Sequence, residues 1–410
     1  MIPSDEFNRI FGIKESFELP DKLMTIIESK QERERLFDQF TEREKDLTYD
    51  WFTDYFQEGH ANREALMQDF TPRSVTDILS GIAEDFQQCA DICAGTGGLT
   101  IAMWNKNHDA SFYCEELSLR ALPLLIFNLA IRNMDAIIVN RDVLTMETKR
   151  IYKLSKGIRY SNIEPLHDVP KVTADVVVMN PPYSVKHKWD EKLRDRRFDV
   201  YGYPPNNFSD FAFVLHGLSM LSRSGQLIAI LPHGVLFRGG KEEAIRKRLI
   251  EECLISAVIG LPEKLFLNTQ IPVFLLVINK KKRDSILFVD AAKEYRGAGK
   301  QNIIDPAQVK KIVETYHKGI EVERFAHLTT PEELAYNDFN LNIPRYVDTS
   351  EPEPLVDVVG SVNEIRELDE KIKKAYKEIR DALNQMTATT EEAGQSLKEL
   401  KEAWEDLANG

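Results

Sequence analysis

The chain has 410 residues, 43% of them hydrophobic, which is enough to bury a large core and to build two or three domains. Its 53 basic and 66 acidic side chains give a net charge of −13, which excludes a protein that grips nucleic-acid phosphates over its whole surface. No run approaches ~18 apolar residues and the start lacks a secretory pattern, so we expect a soluble, cytoplasmic protein without membrane contact. The four cysteines form no CxxC pair, so no metal site is predicted.

Residues 1–66 are rich in charge and carry apolar residues at helical spacing, for example Leu23, Ile26 and Ile27. This pattern predicts an N-terminal helical region. From residue 67 strands and helices alternate, which predicts an α/β domain over 67–350 with a doubly wound, seven-stranded, mostly parallel sheet. The predicted strands lie at 88–93, 111–115, 135–140, 174–179, 226–231, 255–260 and 272–279, and the main helices at 117–132, 209–222 and 241–252.

The first predicted strand runs into a glycine-rich turn whose glycines permit a tight bend and close approach of the backbone to a ligand. The turn lacks both the Gly-Lys-Ser/Thr of a P-loop and the GxGxxG of a dinucleotide site, so by itself it is compatible with any nucleotide-like cofactor. The candidate cofactor-binding residues here are Asp91, Cys93, Ala94, Gly95, Thr96 and Gly97.

Two acidic residues follow the next two predicted strands. Glu115 comes about 20 residues after the glycines, at the spacing where a carboxylate accepts hydrogen bonds from ribose hydroxyls. Asp142 ends the third strand on the same sheet edge and suits the amino group of an adenine. Together with the turn, they predict an adenosine-like cofactor.

Two stretches of the predicted α/β domain are rich in basic residues. The long connection over 143–173 is predicted as a loop, and loops of this length in a compact domain are usually functional. A second basic stretch follows residue 185, with Lys186, Lys188, Lys192, Arg194, Arg196 and Arg197.

The fourth predicted strand ends in Asn180-Pro181-Pro182-Tyr183. Two prolines stop the strand and stiffen the loop, because each fixes φ and neither donates a backbone hydrogen bond. The Asn180 amide oxygen and the Pro181 carbonyl can then accept hydrogen bonds from a planar amino group, and the Tyr183 ring offers a stacking surface. We therefore predict a catalytic site for the amine of a flat heterocycle, formed by Asn180, Pro181, Pro182 and Tyr183.

The tail over 351–410 carries apolar residues three and four apart with charges between them, which predicts heptad-like helices. Such a stripe either folds onto the protein's own body or binds a partner, and the sequence leaves both open.

Together the motifs resemble those of S-adenosylmethionine-dependent DNA adenine-N6 methyltransferases, specifically the modification subunits of type I restriction-modification systems. Other segments fall where that family has its signatures: Phe70-Thr71-Pro72-Arg73, Asp210-Phe211-Ala212-Phe213, Leu231-Pro232-His233-Gly234, Asn268-Thr269-Gln270-Ile271-Pro272 and Asn337-Asp338-Phe339-Asn340-Leu341-Asn342. The resemblance implies S-adenosyl-L-methionine as the cofactor, with Phe70, Thr71 and Pro72 at its methionine end and Asn180 beside it. Ile92 stands where the family usually has proline, and the family's N-terminal region is commonly longer.

The resemblance further implies methyl transfer to N6 of an adenine flipped out of double-stranded DNA. Expected partners are a DNA-specificity subunit, which chooses the sequence, and a restriction subunit as a further candidate. Two alternatives stay open: a methyltransferase acting on another planar nitrogen (cytosine N4, an RNA base or a protein glutamine), and a non-catalytic assembly subunit with the same fold.

Overall fold

The computed structural model describes residues 2–58, 70–266, 271–281, 283–299, 301–350 and 357–409. The predicted domain boundary after residue 66 and residues 268–270 of one predicted signature lie outside these ranges. The described residues fall into two compact units, which divide between Thr349 and Ser350.

The first unit begins with helices α1 (Ser4–Phe11), α2 (Leu19–Glu28), α3 (Lys30–Arg43) and α4 (Trp51–Glu58). Then come α5 (Arg73–Ile82), β1 (Gln88–Ile92), α6 (Gly98–Lys106), β2 (Ser111–Glu116), α7 (Leu122–Ile131), β3 (Asp135–Arg141), β4 (Thr148–Ser155), β5 (Asn162–Pro165), β6 (Ala174–Met179), α8 (Asp210–Met220), β7 (Leu221–Pro232), α9 (Lys241–Glu251), β8 (Ile255–Gly260) and β9 (Val273–Asn279). The unit ends with β10 (Leu287–Asp290), β11 (Arg296–Ala298), β12 (Gln301–Ile303), α10 (Pro306–Lys318), β13 (Ala326–Leu328) and α11 (Pro331–Tyr336).

The N-terminal helices share a core with the α/β part of the chain. Phe40 of α3 and Phe52 of α4 lie edge-on to Phe127 of α7, with ring centroids 5.3 and 5.6 Å apart. Aromatic pairs of this geometry stabilise packing beyond the area they bury. The helices before residue 59 are therefore attached to α7 by a buried aromatic cluster.

The main sheet has the strand order β13-β10-β8-β9-β7-β6-β1-β2-β3-β4-β5 in the part of the chain that the structure describes. The predicted strands form its centre, where β3, β2, β1, β6 and β7 pair in parallel and β9 runs antiparallel to β7 and β8. The predicted α/β class is confirmed. The strand number is corrected from seven to the 11 of the described sheet.

The added strands β4 and β5 lie in the connection 143–173, which we predicted as a loop. They form an antiparallel hairpin on the free side of β3. Ile151 and Leu154 of β4 are buried, whereas Lys149, Arg150 and Lys153 are exposed. Only these two apolar residues of β4 are buried and charged residues surround them, so the residue pattern did not predict a strand here.

Both faces of the sheet are covered, as the apolar run Val176-Val177-Val178-Met179 of β6 predicts. Val176 and Val178 belong to the core cluster that also contains residues of α5, α6 and α7. Val177 and Met179 point to the opposite cluster, which contains residues of α8 and α9. This alternation anchors the end of β6 from both sides.

The strand order reverses between β1 and β6. From β1 the chain proceeds through β2 to β3 on one side, and it then returns to β6 and β7 on the other. Ligands of open α/β sheets bind in the crevice beyond the carboxyl ends of the strands at such a switch point. The turn after β1 and the loop after β6 are therefore neighbours at the expected site.

The second unit contains two helices among its described residues, α12 (Val358–Gln385) and α13 (Glu391–Asn409). They contact each other through Tyr376 and Trp404, whose ring centroids are 5.3 Å apart. Leu383 is buried, but much of the predicted apolar stripe of α12 is exposed. No helix in the described ranges of either unit has the length and apolar content to cross a membrane.

Candidate active site

Asn180 joins two segments that are more than a hundred residues apart in sequence. Its Nδ2 donates to Thr71 Oγ1 at 2.9 Å, and its Oδ1 accepts from the Tyr183 hydroxyl at 2.8 Å. The predicted Phe70-Thr71-Pro72 segment therefore meets the Asn-Pro-Pro-Tyr loop directly. The two hydrogen bonds hold the Asn180 side chain in place between the two segments.

The exit of this loop is held by a buried carboxylate. Ser184 adopts a left-handed conformation (φ 55°), and its N–H donates to Asp210 Oδ1 at 2.8 Å. Arg238 donates to Asp210 Oδ2 at 3.1 Å and lies over the Phe208 ring at 4.0 Å. Asp210 is fully buried, so this pair fixes the backbone directly after Tyr183. Sequence reasoning recognised the Asp210 segment as a signature but missed its role and that of Arg238.

The turn after β1 has left-handed backbone at Cys93, Gly95 and Gly97, with φ of 65°, 58° and 97°. A Cβ at Gly97 would lie 2.9 Å from Leu125 Cδ1, so this position requires glycine for space as well as for conformation. Cys93 is strained because a residue with a Cβ rarely adopts positive φ, and such strain is common at ligand sites. The turn ends at the N-terminus of α6, where backbone N–H groups lack helical partners.

Glu115 does not lie at the open sheet edge where we predicted it. Its carboxylate is fully buried and accepts from the Tyr113 hydroxyl at 2.8 Å and from Arg141 Nη1 at 3.0 Å. The other oxygen lies 2.7 Å from His216 Nε2. The charges and hydrogen bonds of His216 and Arg141 outweigh burial and lower the pKa of Glu115.

Glu116, the next residue, has the position that we predicted for Glu115. Its Oε2 accepts from the N–H of Gly95 in the glycine turn at 2.8 Å, and its Oε1 accepts from Ser118 N–H at 2.6 Å. Since side chains alternate along a strand, only one of two consecutive acids can face the turn. We therefore correct the candidate ribose acid from Glu115 to Glu116. The sequence shows two consecutive glutamates, but it does not show which of them faces the glycine turn.

Asp142 follows β3 as predicted and is half-buried. Its Oδ1 accepts from the N–H of Leu144 at 2.8 Å, so it shapes the turn that leaves the strand. Its role toward a cofactor stays a prediction.

Asp91 lies beneath the glycine turn and is buried. Thr100 Oγ1 donates to its Oδ2 at 2.6 Å, while Oδ1 has no hydrogen-bond partner among the described residues. Burial raises the pKa of this carboxyl to about 7. A buried oxygen without a partner at a ligand-binding turn is the kind of exception that a functional role explains.

Asp50, in the N-terminal region, also holds the glycine turn. Thr96 Oγ1 donates to Asp50 Oδ2, and Asn128 Nδ2 donates to both Asp50 Oδ1 (2.8 Å) and the Thr96 carbonyl (2.7 Å). Asp50 also accepts from the N–H of Phe52 at the start of α4. Sequence reasoning missed Asp50, and the only local signal was an acidic residue directly before a helix.

The family model for N-6 DNA methylases matches residues 45–354. The chain belongs to the N-6 DNA methylase family. It is 31% identical over 307 residues to the type I restriction enzyme MpnII methylase subunit of Mycoplasma pneumoniae, covering 70% of this chain and 54% of that protein. It is 28% identical over 342 residues to the MjaVIII methylase subunit of Methanocaldococcus jannaschii, covering 78% and 56%. The chain thus spans about half the length of these curated relatives.

A solved structure agrees with the family assignment. The methyltransferase subunit of a type I restriction-modification system from Streptococcus thermophilus superposes with a TM-score of 0.61 at 33% identity, covering 68% of this chain and 59% of that one. Because the matched family region contains the glycine turn and the Asn-Pro-Pro-Tyr loop, both candidate halves of the site belong to the shared domain.

The residues at this edge fit an adenosyl cofactor with a positively charged methionine end. The glycine turn provides close backbone approach, and Glu116 provides a carboxylate beside it. Asp91 adds a buried carboxyl oxygen without a partner among the described residues.

Proposed function

We propose that this protein transfers a methyl group from S-adenosyl-L-methionine to N6 of an adenine in double-stranded DNA, as the modification subunit of a type I restriction-modification system. The observation that carries the proposal is the hydrogen-bonded contact of Asn180 with Thr71 and Tyr183 at the sheet's switch point. It joins the amine-binding loop to the segment expected at the cofactor's methionine end.

The cofactor would be held by the glycine turn, by Glu116 at its ribose and by Asp142 at its adenine. Phe70, Thr71, Pro72 and Asn180 would line its methionine end, with Asp91, Cys93, Ala94, Gly95, Thr96 and Gly97 forming the turn. When bound, it supplies an electrophilic methyl group. Holding the two reacting partners in line is itself a large part of catalysis for such a transfer.

The chain's own groups prepare the target nitrogen. The adenine must leave the duplex, because its N6 cannot be reached inside the stack. Asn180 Oδ1 and the Pro181 carbonyl accept hydrogen bonds from the N6 amine, which directs its lone pair toward the methyl group. Methyl transfer would join the cofactor's methyl group to N6 and leave the cofactor as an uncharged thioether, and N6 would release one proton to solvent.

Tyr183 contributes to this proposal through both its ring and its hydroxyl. Its ring stacks on the extruded base, a contact worth roughly 1–3 kcal/mol for base–aromatic pairs. Before the base arrives, its hydroxyl donates to Asn180 Oδ1 and so satisfies the acceptor that the amine later uses. The target amine has to share or replace this hydrogen bond.

The partners follow from charge and from the named relatives. A chain with a net charge of −13 is poorly suited to reading DNA alone. The relatives are named as methylase subunits, which supports a partner that chooses the sequence. We assign that contact to the second unit. A restriction subunit is a further candidate partner.

Asn180→Ala tests the proposal. We expect methylation to fall by about 100-fold or more, because a preorganised polar contact to the reacting group is lost. Binding of S-adenosylmethionine, measured by calorimetry, should weaken far less than methylation, because Asn180 is only one of the residues proposed to hold the cofactor. Asn302→Ala, which removes an amide from β12, is the control and should leave both unchanged.

The assay uses the purified protein with any subunit that co-purifies, tritiated cofactor and unmethylated duplex DNA, followed by nucleoside analysis. N6-methyladenine supports the proposal. N4-methylcytosine, or label in RNA or in protein glutamine, supports the alternative methyltransferases. Cofactor binding without transfer to any of these supports the non-catalytic subunit. Near-normal turnover of Asn180→Ala contradicts the catalytic assignment.

A further inference from the structure

The segment 184–209, between Tyr183 and helix α8, is a fixed strap rather than a loose loop. His187 N–H donates to the Asn206 carbonyl at 2.9 Å, and Ser209 N–H donates to the Val185 carbonyl at 3.0 Å. Aromatic rings tie its middle together, with Trp189 edge-on to Phe198 at 5.0 Å. The strap therefore presents its surface side chains in a defined arrangement beside the Asn-Pro-Pro-Tyr loop.

The start of the strap alternates between the protein core and solvent. Val185 and Trp189 are partly buried and pack against the core, and the His187 ring contacts Trp189 at a tilt of 57° with centroids 4.3 Å apart. Lys186 and Lys188, between them, are exposed. In extended chain, residues two apart point to the same side, so both lysines project together with Cα atoms about 6.6 Å apart.

Three of the four acidic residues of the strap pair with other basic residues, and the fourth, Asp190, is exposed beside Lys188 and accepts from Lys192 N–H at 3.1 Å. Glu191 pairs with Lys241 at 2.6 Å, Asp195 with Arg197 at 2.6 Å, and Asp199 with Arg194 at 2.8 Å. Lys186 and Lys188 form no ion pair with any residue that the structure describes. The exposed Lys186, Lys188 and Asp190 together carry one net positive charge in a protein whose net charge is −13.

The position of the lysines relative to Tyr183 indicates what they meet. They follow Tyr183 by three and five residues, and because the left-handed Ser184 bends the chain between them, they lie at most about 11 and 18 Å from Tyr183 along the chain. When the base of a nucleotide stacks on Tyr183, the phosphates of that nucleotide and of its neighbours lie at similar distances from the Tyr183 ring. Phosphate contacts from lysine fix the register of a nucleic acid without reading its sequence.

We propose that Lys186 and Lys188 bind consecutive phosphates of the DNA strand that carries the target adenine, next to the extruded nucleotide. This inference rests on the proposed function, because it takes DNA as the substrate. The two lysines place positive charge next to the extruded base. There this acidic subunit has to hold the DNA strand itself, even if a partner selects the sequence.

The test compares Lys186→Gln/Lys188→Gln with Lys22→Gln/Lys45→Gln in the full protein with its co-purifying subunit. Lys22 and Lys45 are exposed, carry no ion pair to a described residue and lie in the N-terminal region, so the control makes the same change in charge. Binding to a short mixed-sequence duplex is measured between about 50 and 200 mM salt.

Losing two phosphate contacts should reduce the slope of log affinity against log salt by about 2, since each contact contributes about 0.9. Across that salt range the wild type then loses about tenfold more affinity than the variant. The KM for DNA should rise, while affinity for S-adenosylmethionine and the thermal midpoint stay at wild-type values.

A strap variant with the wild-type slope and KM overturns the inference, as does a control that shifts the slope equally. Methylation of adenine by the wild type is the separate readout of the proposed function. If the wild type methylates DNA and the strap variant is unaffected, only the inference fails. If the wild type neither binds nor methylates DNA, both fail.

Discussion

Two consecutive carboxylates, Glu115 and Glu116, have opposite surroundings and should respond differently to the same change. Glu116→Gln removes the charge beside the glycine turn, and we expect the Kd for S-adenosylmethionine to rise about 10- to 100-fold, the loss for a charged hydrogen bond of about 1.5–3 kcal/mol. Glu115→Gln instead leaves Arg141 buried without a charged partner, so it should lower the free energy of unfolding by about 3–5 kcal/mol.

Calorimetry for the cofactor and urea denaturation separate the two effects. Under conditions in which it is folded, Glu115→Gln should bind the cofactor with nearly wild-type affinity. Glu116→Gln should keep the wild-type free energy of unfolding. A Glu115→Gln protein that is stable but cannot bind the cofactor would restore the original assignment.

Asp91 makes a pH-dependent contribution to stability. Its pKa is about 7 in the folded protein and 3.8 in the unfolded reference, because burial penalises the charge. Between these values the folded state holds a proton that the unfolded state has lost, so the free energy of unfolding falls as pH rises, by about 1.4 kcal/mol per unit. The contribution is complete below pH 3.8 and is lost above about 7.

Asp91→Asn should remove this dependence. Denaturation of wild type and variant at several pH values gives a difference curve that slopes between pH 4 and 7 and is flat above. Asp21→Asn, on the exposed side of α2, controls for the loss of one carboxyl. A flat difference curve for Asp91→Asn would show that the carboxyl is ionised throughout and has another partner.

At the scale of elements, the central strands were predictable because their apolar runs are long and bounded by helices. Strand β4 was missed because its buried residues, Ile151 and Leu154, are few and lie among exposed lysines and an exposed arginine. The turns after β1 and β6 were predictable because glycine and proline mark backbone geometry directly. The register that turns Glu116 rather than Glu115 toward the turn depends on strand pairing, which the residue types alone did not fix.

The link between the N-terminal helices and the cofactor turn was not predictable. Asp50 and Thr96 are 46 residues apart, and their contact exists only because α3 and α4 pack on α7 through Phe127. Such a contact is set by tertiary packing, which has no local pattern. The N-terminal region that we predicted as a separate helical segment is therefore also a support for the candidate site.

At the scale of the whole molecule, the two units expose different kinds of surface. In the first unit, Lys186 and Lys188 lie beside the candidate base pocket and form no ion pair with a described residue. Their positive charges suit the phosphate backbone of DNA. The second unit has an exposed apolar stripe on α12, including Ile365 and Ile372 with 58% and 50% of their surface exposed. Exposed apolar residues in a row mark protein contacts rather than nucleic-acid contacts.

Ile365→Glu/Ile372→Glu should therefore abolish co-purification of the proposed specificity subunit. It should leave the thermal midpoint and affinity for S-adenosylmethionine unchanged, since both residues are exposed and lie in the second unit. The matched control is Asn363→Glu/Gln385→Glu, which adds the same charges on the opposite face of α12 and should retain the partner. Truncation after Thr349 should behave like the stripe variant. If the stripe variant retains its partner, or the truncated protein loses cofactor binding, the stripe is part of the protein's own fold and the partner contact must lie on the first unit.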